Sequence, residues 1–88
     1  MPVEVLHVGF GNVVASCRVV CVIKAGSSPV RRLMDQAEQD KRLIDATSGR
    51  RTRSVIVTDS NHVILSHINP VTLVGKLQGI EVEEGEGT

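Results

Sequence analysis

Short runs of apolar residues alternate with polar stretches along the chain, a pattern that indicates several short strands rather than long helices. The runs at 3–8 and 13–23 are rich in Val, Ile and Leu, which is typical of strands. The second run is long for one strand and is interrupted near Arg18, so we expect two strands, or one bent strand, with Arg18 at the break. The Gly-Phe-Gly-Asn stretch at 9–12 predicts a tight turn with positive φ angles.

Two helices are predicted where a small polar residue precedes a proline. Ser28 precedes Pro29 and Asn69 precedes Pro70; a capping side chain followed by proline is a common helix start. Apolar residues then recur three and four positions apart, which gives each helix one apolar stripe. The expected stripes are Val30, Leu33, Met34 and Ala37 in the first helix and Pro70, Leu73, Val74 and Leu77 in the second, which Gly79 can end.

The remaining apolar runs complete an α+β pattern. The first helix should end within 40–42, and 43–46 should form a short strand. The runs at 54–58 and 62–66 enclose the turn-forming stretch 59–61 and are expected to form a hairpin. The sequence therefore predicts an α+β domain, with a small mixed or antiparallel sheet of short strands and two helices.

The length and composition of the chain favour one small domain with a thin core. We assign residues 1–80 to this domain and residues 81–88, with four Glu and no base, to a disordered acidic tail. Phe10 is the only aromatic residue, so the core must be aliphatic, and we expect Phe10 in that core or at a subunit contact. A core this small favours help from a partner subunit.

Cysteine usage and hydropathy favour a cytoplasmic protein. The sequence has neither a run of about 20 apolar residues nor a secretory signal, so no membrane association is expected. Cys17 and Cys21 are interpreted as buried small side chains without a disulfide.

The net charge of zero conceals a basic middle segment. Residues 18–53 carry nine basic and four acidic side chains, and the strongest local signal is Gly-Arg-Arg-Thr-Arg at 49–53. Arginine offers a planar set of donors that matches phosphate oxygens. Gly49 permits close backbone approach, and Thr47, Ser48 and Thr52 could add hydroxyl contacts to phosphate. The alternative is a solvated basic loop that pairs with nearby acids such as Asp45.

Double-stranded DNA is the polyanion that this composition favours. Single strands and RNA loops are usually held by stacking on aromatic side chains, whereas a duplex backbone needs only basic and hydroxyl groups. Gly9 and Gly11 lack the third glycine of a dinucleotide loop. The three histidines have no zinc-ligand spacing, so no metal and no cofactor are expected. Nothing assembles a nucleophile with a base, and we expect no enzyme and no small-molecule substrate.

Taken in order, these segments resemble the RemA family, the bacterial extracellular matrix regulatory proteins. The resemblance covers residues 3–78 without a break. It is carried by Gly-Phe-Gly-Asn at 9–12, Arg18, Ser-Pro at 28–29, Ile-Asp-Ala-Thr-Ser-Gly-Arg-Arg-Thr-Arg at 44–53, His-Val-Ile-Leu-Ser at 62–66 and Pro70. Cys17 departs from the family pattern, in which we expect Asn.

The resemblance implies a nucleoid-associated transcriptional regulator of biofilm and extracellular matrix genes. Such a protein forms a homo-oligomeric closed ring of about seven or eight subunits, along which duplex DNA lies without strong sequence preference. The family's DNA contacts map onto Arg18, Arg50 and Arg51, and Arg53 belongs to the same motif. One alternative is a ring-forming scaffold that binds acidic protein partners, and another is a small enzyme or nucleotide-binding protein.

Overall fold

The computed structural model describes residues 4–77 of the chain and confirms the α+β class. In chain order the elements are β1 (Val5–Gly9), β2 (Asn12–Ala15), a 3₁₀ turn (Ser16–Arg18), β3 (Val19–Lys24), α1 (Ser28–Gln39), β4 (Leu43–Asp45), β5 (Ser54–Thr58), β6 (Val63–Ser66) and α2 (Pro70–Leu77). The 3₁₀ turn is the expected break at Arg18. Gly79 and the acidic tail at 81–88 lie outside the described residues.

The strands form one two-stranded and one four-stranded sheet. β1 and β2 pair as an antiparallel hairpin, and the larger sheet has the order β3-β5-β6-β4. β4 is parallel to β6, whereas the other neighbours are antiparallel. Because α1 carries the chain from β3 to β4, the two edge strands of this sheet flank that helix in sequence.

Strand register defines two ends of the larger sheet. One end holds the last residues of β3, β4 and β6 and the first residue of β5; we call it the loop end, because residues 47–53 connect β4 to β5 there. At the opposite end, Val19, the first residue of β3, pairs with Thr58, the last residue of β5. We call this the Arg18 end. α1 starts from the loop end and returns the chain to the Arg18 end.

The core consists of two layers, one on each face of the larger sheet. Along β5, Val55 packs toward α1 and Ile56 toward the hairpin and α2, as expected for side chains that alternate between faces. The α1 layer contains Val30, Ala37, Val55, Val63 and Leu65, and the other layer contains Leu6, Val8, Ala46, Ile56, Ile64, Ile68 and Leu73. Within residues 4–77, neither helix has the length and apolar composition that crossing a bilayer requires.

The start of α1 differs by one residue from the expectation. Ser27, rather than Ser28, is the N-terminal cap, because its backbone is extended (φ −90°, ψ 160°) and its hydroxyl accepts a hydrogen bond from the Val30 N–H at 3.4 Å. Ser28 is already helical. The predicted stripe is confirmed, since Val30 and Ala37 are buried and its other two members are half-buried.

The apolar stripe predicted for α2 is only partly correct. Asn69 caps the helix as expected, with Oδ1 accepting from the Val71 N–H at 2.8 Å, and Leu73 is fully buried. Val74, however, is exposed, and Thr72 and Gly75 are buried instead. The buried side of α2 therefore consists of Thr72, Leu73 and Gly75.

Two side chains expected inside the protein lie on its surface. Cys17 is exposed on the 3₁₀ turn, Cys21 is half-buried on β3, and neither forms a disulfide. Phe10 is 51% exposed at the hairpin tip, where its φ is +53°. The expectation that Phe10 belongs to the core is therefore wrong, while a subunit contact stays a prediction.

Gly9 permits the close approach of the hairpin to the end of β6. A Cβ atom at Gly9 would lie 2.6 Å from Cε1 of His67, whereas one at Gly26 would meet nothing within 4 Å. Both glycines have nearly the same φ, 117° and 115°, so they share the same backbone requirement.

We expect Gly9→Ala to destabilise the protein more than Gly26→Ala. The matched control, Gly26→Ala, introduces backbone strain alone, which lowers the free energy of unfolding by about 1–2 kcal/mol. Gly9→Ala introduces the same strain and must also displace the His67 ring. Urea denaturation of both variants measures the difference. Equal decreases in stability would contradict a close contact between Gly9 and His67.

Candidate nucleic-acid interface

Local hydrogen bonds hold the first half of the loop at 47–53. The Asp45 carboxylate accepts from the Thr47 N–H at 2.8 Å and from the Thr47 hydroxyl at 2.6 Å. The Arg50 N–H then donates to the Thr47 carbonyl at 3.0 Å. Ser48 and Gly49 between them have positive φ angles of 52° and 84°, which reverse the chain. These contacts form a tight turn that ends at the exposed Arg50.

The second half of the loop is fixed by the neighbouring strands. The Arg53 N–H donates to the Ser66 carbonyl at 2.8 Å, and the Arg53 carbonyl accepts from the Ala25 N–H at 3.0 Å. Both ends of the loop are therefore attached to the sheet, while Arg50, Arg51 and Arg53 are exposed.

Asp45 holds the loop by accepting hydrogen bonds from Thr47, a role that the sequence did not indicate. Thr47 is 2% exposed and its hydroxyl is committed to Asp45, so the expected phosphate contact from Thr47 is wrong. Asp45 likewise does not neutralise an arginine. Within the part of the chain that the structure describes, no carboxylate forms an ion pair with Arg50, Arg51 or Arg53.

The fold brings two further basic side chains next to the loop. Lys24, the last residue of β3, lines a shallow depression of about 240 Å³ together with Arg51 and Arg53. Arg31, in the first turn of α1, borders a second depression of about 250 Å³ with Arg51. Sequence reasoning placed both in the basic segment but not in the site, because their proximity to the loop depends on strand order.

The start of α1 adds to the positive potential of this surface. A helix N-terminus carries free N–H groups and a partial positive charge, and no acidic residue lies in the first turn of α1. We call Lys24, Arg31, Arg50, Arg51 and Arg53 the basic surface. Its chemistry suits several anionic oxygens at once.

Arg18 lies at the other end of the sheet. Its Nε donates to Oδ1 of Asp59 at 2.8 Å, and the two side chains are 58% and 48% exposed. The length of β5, about 14 Å at 3.4 Å per residue, separates this ion pair from the loop end. The structure thus brings Arg50, Arg51 and Arg53 together and leaves Arg18 apart.

An apolar groove of about 360 Å³ lies between the hairpin and β4. Val13 on one side and Ile44 on the other are 48% and 46% exposed, and Arg18 and His62 line its polar rim. β4 is an edge strand with an open side. Among residues 4–77, no group of three His, Cys, Asp or Glu side chains is placed to hold a metal ion.

Comparison with known proteins gives one consistent result. The sequence model of the RemA-like family, described as extracellular matrix regulatory protein A-like, matches residues 5–77. A protein of Maridesulfovibrio salexigens is 55% identical over 78 residues, which cover 89% of this chain and 91% of the relative. A protein of Geobacillus thermodenitrificans is 40% identical over 87 residues, covering 99% and 100%. The names of both relatives propose a regulatory role.

The bonds from Thr47 favour the charged form of the Asp45 carboxylate. They lower the pKa of Asp45 below its ordinary value of 3.8, the hydroxyl having the larger effect. A carboxylate with a lowered pKa stabilises the fold above the pKa of the unfolded chain, and this contribution disappears as the pH falls through the folded value.

We expect Asp45→Asn to lose less stability than the native chain between about pH 5 and pH 2, because the variant cannot titrate at this position. Urea denaturation across that range measures the difference. Asp40, whose pKa is lowered by Gln36 and Arg42, titrates in both proteins and cancels. Identical acid sensitivity would contradict a role for Asp45 in holding the loop.

Proposed function

This chain belongs to the RemA-like family, and the names of the two relatives compared above propose a regulatory role. We therefore propose that it regulates transcription by binding duplex DNA through its basic surface. The observation that carries the proposal is the state of Arg50, Arg51 and Arg53. All three are exposed, and no carboxylate among residues 4–77 neutralises them. Three guanidinium groups that pair with no carboxylate of residues 4–77, on a loop attached at both ends, suit a fixed array of phosphates.

The composition of the basic surface supports the DNA backbone as ligand. Arginines bind phosphate oxygens with two parallel hydrogen bonds, and Lys24 and Arg31 extend the same surface on either side of Arg51. Phe10 is the only aromatic residue in the sequence, too few for the stacking that single strands require. Contacts of this kind tolerate many base sequences, because phosphate carries no sequence information.

Arg18 enters the proposal at a separate position along the duplex. Its distance from the loop end, about 14 Å along β5, corresponds to about four nucleotides of one strand at 3.4 Å each. One protomer could therefore contact two stretches of backbone, or Arg18 could act beside the loop of a neighbouring protomer. In either case its ion pair with Asp59 must loosen on binding.

We further propose that the protein acts as a closed homo-oligomeric ring of about seven or eight subunits. Two edge strands support this: β3 exposes Val20 and β4 exposes Ile44, which are 65% and 46% exposed. Open edges and exposed apolar side chains favour pairing with another chain. A ring would repeat the basic surface, and linked sites can exceed single-site affinity by about 10²–10⁴.

In this proposal the protein contributes no catalysis. It would act in the cytoplasm on the nucleoid, and its targets would include biofilm and extracellular matrix genes. Binding would change the accessibility or the path of the DNA, since several phosphate contacts repeated around a rigid ring constrain the duplex that follows them.

We expect Arg50→Ala/Arg51→Ala to weaken binding to duplex DNA by at least about tenfold, because every engaged protomer then lacks two charge-assisted hydrogen-bonding groups for phosphate. A plot of the logarithm of the binding constant against the logarithm of the salt concentration should also become shallower. Its slope should change by nearly one unit for each phosphate that is no longer neutralised. Fluorescence anisotropy at low and physiological salt measures both quantities.

The matched control is Lys41→Ala/Lys76→Ala, which removes the same charge from exposed positions outside the loop and should retain most of the affinity. If the arginine variant and the control bind equally, the basic surface is not the DNA site. Equal affinity of the native chain for DNA and for heparin would instead favour a scaffold that binds acidic protein partners.

We expect Ile44→Lys to disrupt the ring, because it places a charge among the exposed apolar side chains beside the edge strand β4. Analytical ultracentrifugation should show smaller species, and DNA affinity should fall because avidity is reduced. The control is Val74→Lys, which changes a side chain of similar exposure on α2, 40% against 46%. A native chain that sediments only as a monomer at micromolar concentration would contradict the ring itself.

A further inference from the structure

The hairpin tip lies directly beside the arginine loop. The ring of Phe10 packs on the ring of His67, with centroids 4.7 Å apart and planes tilted by 42°. The guanidinium carbon of Arg50 lies over the same Phe10 ring, 5.9 Å from its centroid. The three side chains thus form a stack that runs from the end of β6 through the hairpin to the loop.

This stack is supported from below by the fold. Gly9 has no side chain, so the His67 ring can occupy the space where a Cβ atom would lie. The Ser66 hydroxyl donates to the Val8 carbonyl at 2.8 Å, which ties the hairpin to the end of β6. Nδ1 of His67 is buried and has no hydrogen-bond partner within residues 4–77. The imidazole is therefore held by packing, and its ring is the surface on which Phe10 packs.

Core packing does not account for the position of Phe10. The side chain is 51% exposed, and its backbone adopts a φ of 53°, which is uncommon for a bulky residue. Strained conformations of this kind cluster at functional sites. Arg50 is the one loop arginine over the sole aromatic ring of the sequence, which distinguishes it from Arg51 and Arg53.

We propose that Phe10 is a positioning residue that holds the Arg50 guanidinium in place for a DNA phosphate; this inference rests on the proposed function. An arginine side chain has many rotamers, and ordering it on binding weakens affinity. A cation–π contact restricts the guanidinium before DNA arrives. At an exposed site such a contact changes an equilibrium constant by a factor of about 2 to 5, and the factor multiplies over the protomers engaged.

The test compares Phe10→Leu with Phe10→Tyr, each in the native and the Arg50→Ala background. Leu keeps an apolar side chain and the same backbone strain but removes the aromatic face, whereas Tyr keeps that face. We expect Phe10→Leu to weaken duplex binding about twofold to fivefold. Phe10→Tyr should keep the affinity of the native chain. In the Arg50→Ala background neither substitution should change affinity, because Phe10 acts through Arg50.

The oligomeric state of each variant is measured in parallel by ultracentrifugation. Unchanged affinity of Phe10→Leu would overturn the proposal. An equal decrease in affinity in the Arg50→Ala background would show that Phe10 contacts DNA itself, and a smaller oligomer would show that it forms a subunit contact; both outcomes also overturn it.

Urea denaturation of a four-protein cycle (the native chain, Phe10→Leu, Arg50→Ala and the double variant) separates this inference from the proposed function. Coupling between Phe10 and Arg50 in unfolding reports their contact without DNA. If the native chain fails to bind duplex DNA, the proposed function fails and positioning for DNA fails with it. The coupling still decides whether Phe10 holds Arg50, and additive effects would show that it does not.

Discussion

Ser66, the fully buried last residue of β6, joins three parts of the molecule at one point. Its hydroxyl donates to the Val8 carbonyl and accepts from the Ile68 N–H, and its carbonyl accepts from the Arg53 N–H. The hairpin, the start of the connection to α2 and the end of the arginine loop are all fixed by this residue. Because a buried polar group without its partner is costly, separating any one of these parts from Ser66 would destabilise the fold. The arginine loop is thus attached to the core through a buried residue.

The second constraint is electrostatic. The chain has equal numbers of acidic and basic side chains, so a basic surface can exist only if acids are kept from it. Asp45 is the nearest carboxylate in sequence, and it is occupied by the backbone and hydroxyl of Thr47. Asp59 neutralises Arg18 at the opposite end of the sheet. Among residues 4–77, no carboxylate therefore neutralises the loop end, and the nearest carboxylate in sequence instead holds the loop in shape.

Local patterns located the strands and helices of residues 4–77, because periodicity, capping residues and turn glycines act over a few positions. They left open whether 13–23 forms two strands or one bent strand. They failed where two neighbours were chemically equivalent or where tertiary packing decided. Ser27 and Ser28 can both cap, and only the backbone conformation selects Ser27. The orientation of α2, which exposes Val74 and buries Thr72 and Gly75, is set by packing against other elements. The separation of Arg18 from the loop, like the arrival of Lys24 and Arg31 beside Arg51, follows from strand order, which no local pattern contains.

The thin core and the small basic surface impose related requirements on this domain. A protomer with an aliphatic core of short side chains has little stability to spare, and a handful of phosphate contacts gives an affinity that salt readily abolishes. Assembly through the exposed edges of β3 and β4 would increase protomer stability, since it buries apolar side chains. It would also increase DNA affinity, since it repeats the basic surface. The edges flank α1 in sequence, and α1 starts at the basic surface. In the proposed ring, the geometry that joins subunits would therefore also set the spacing of the DNA contacts.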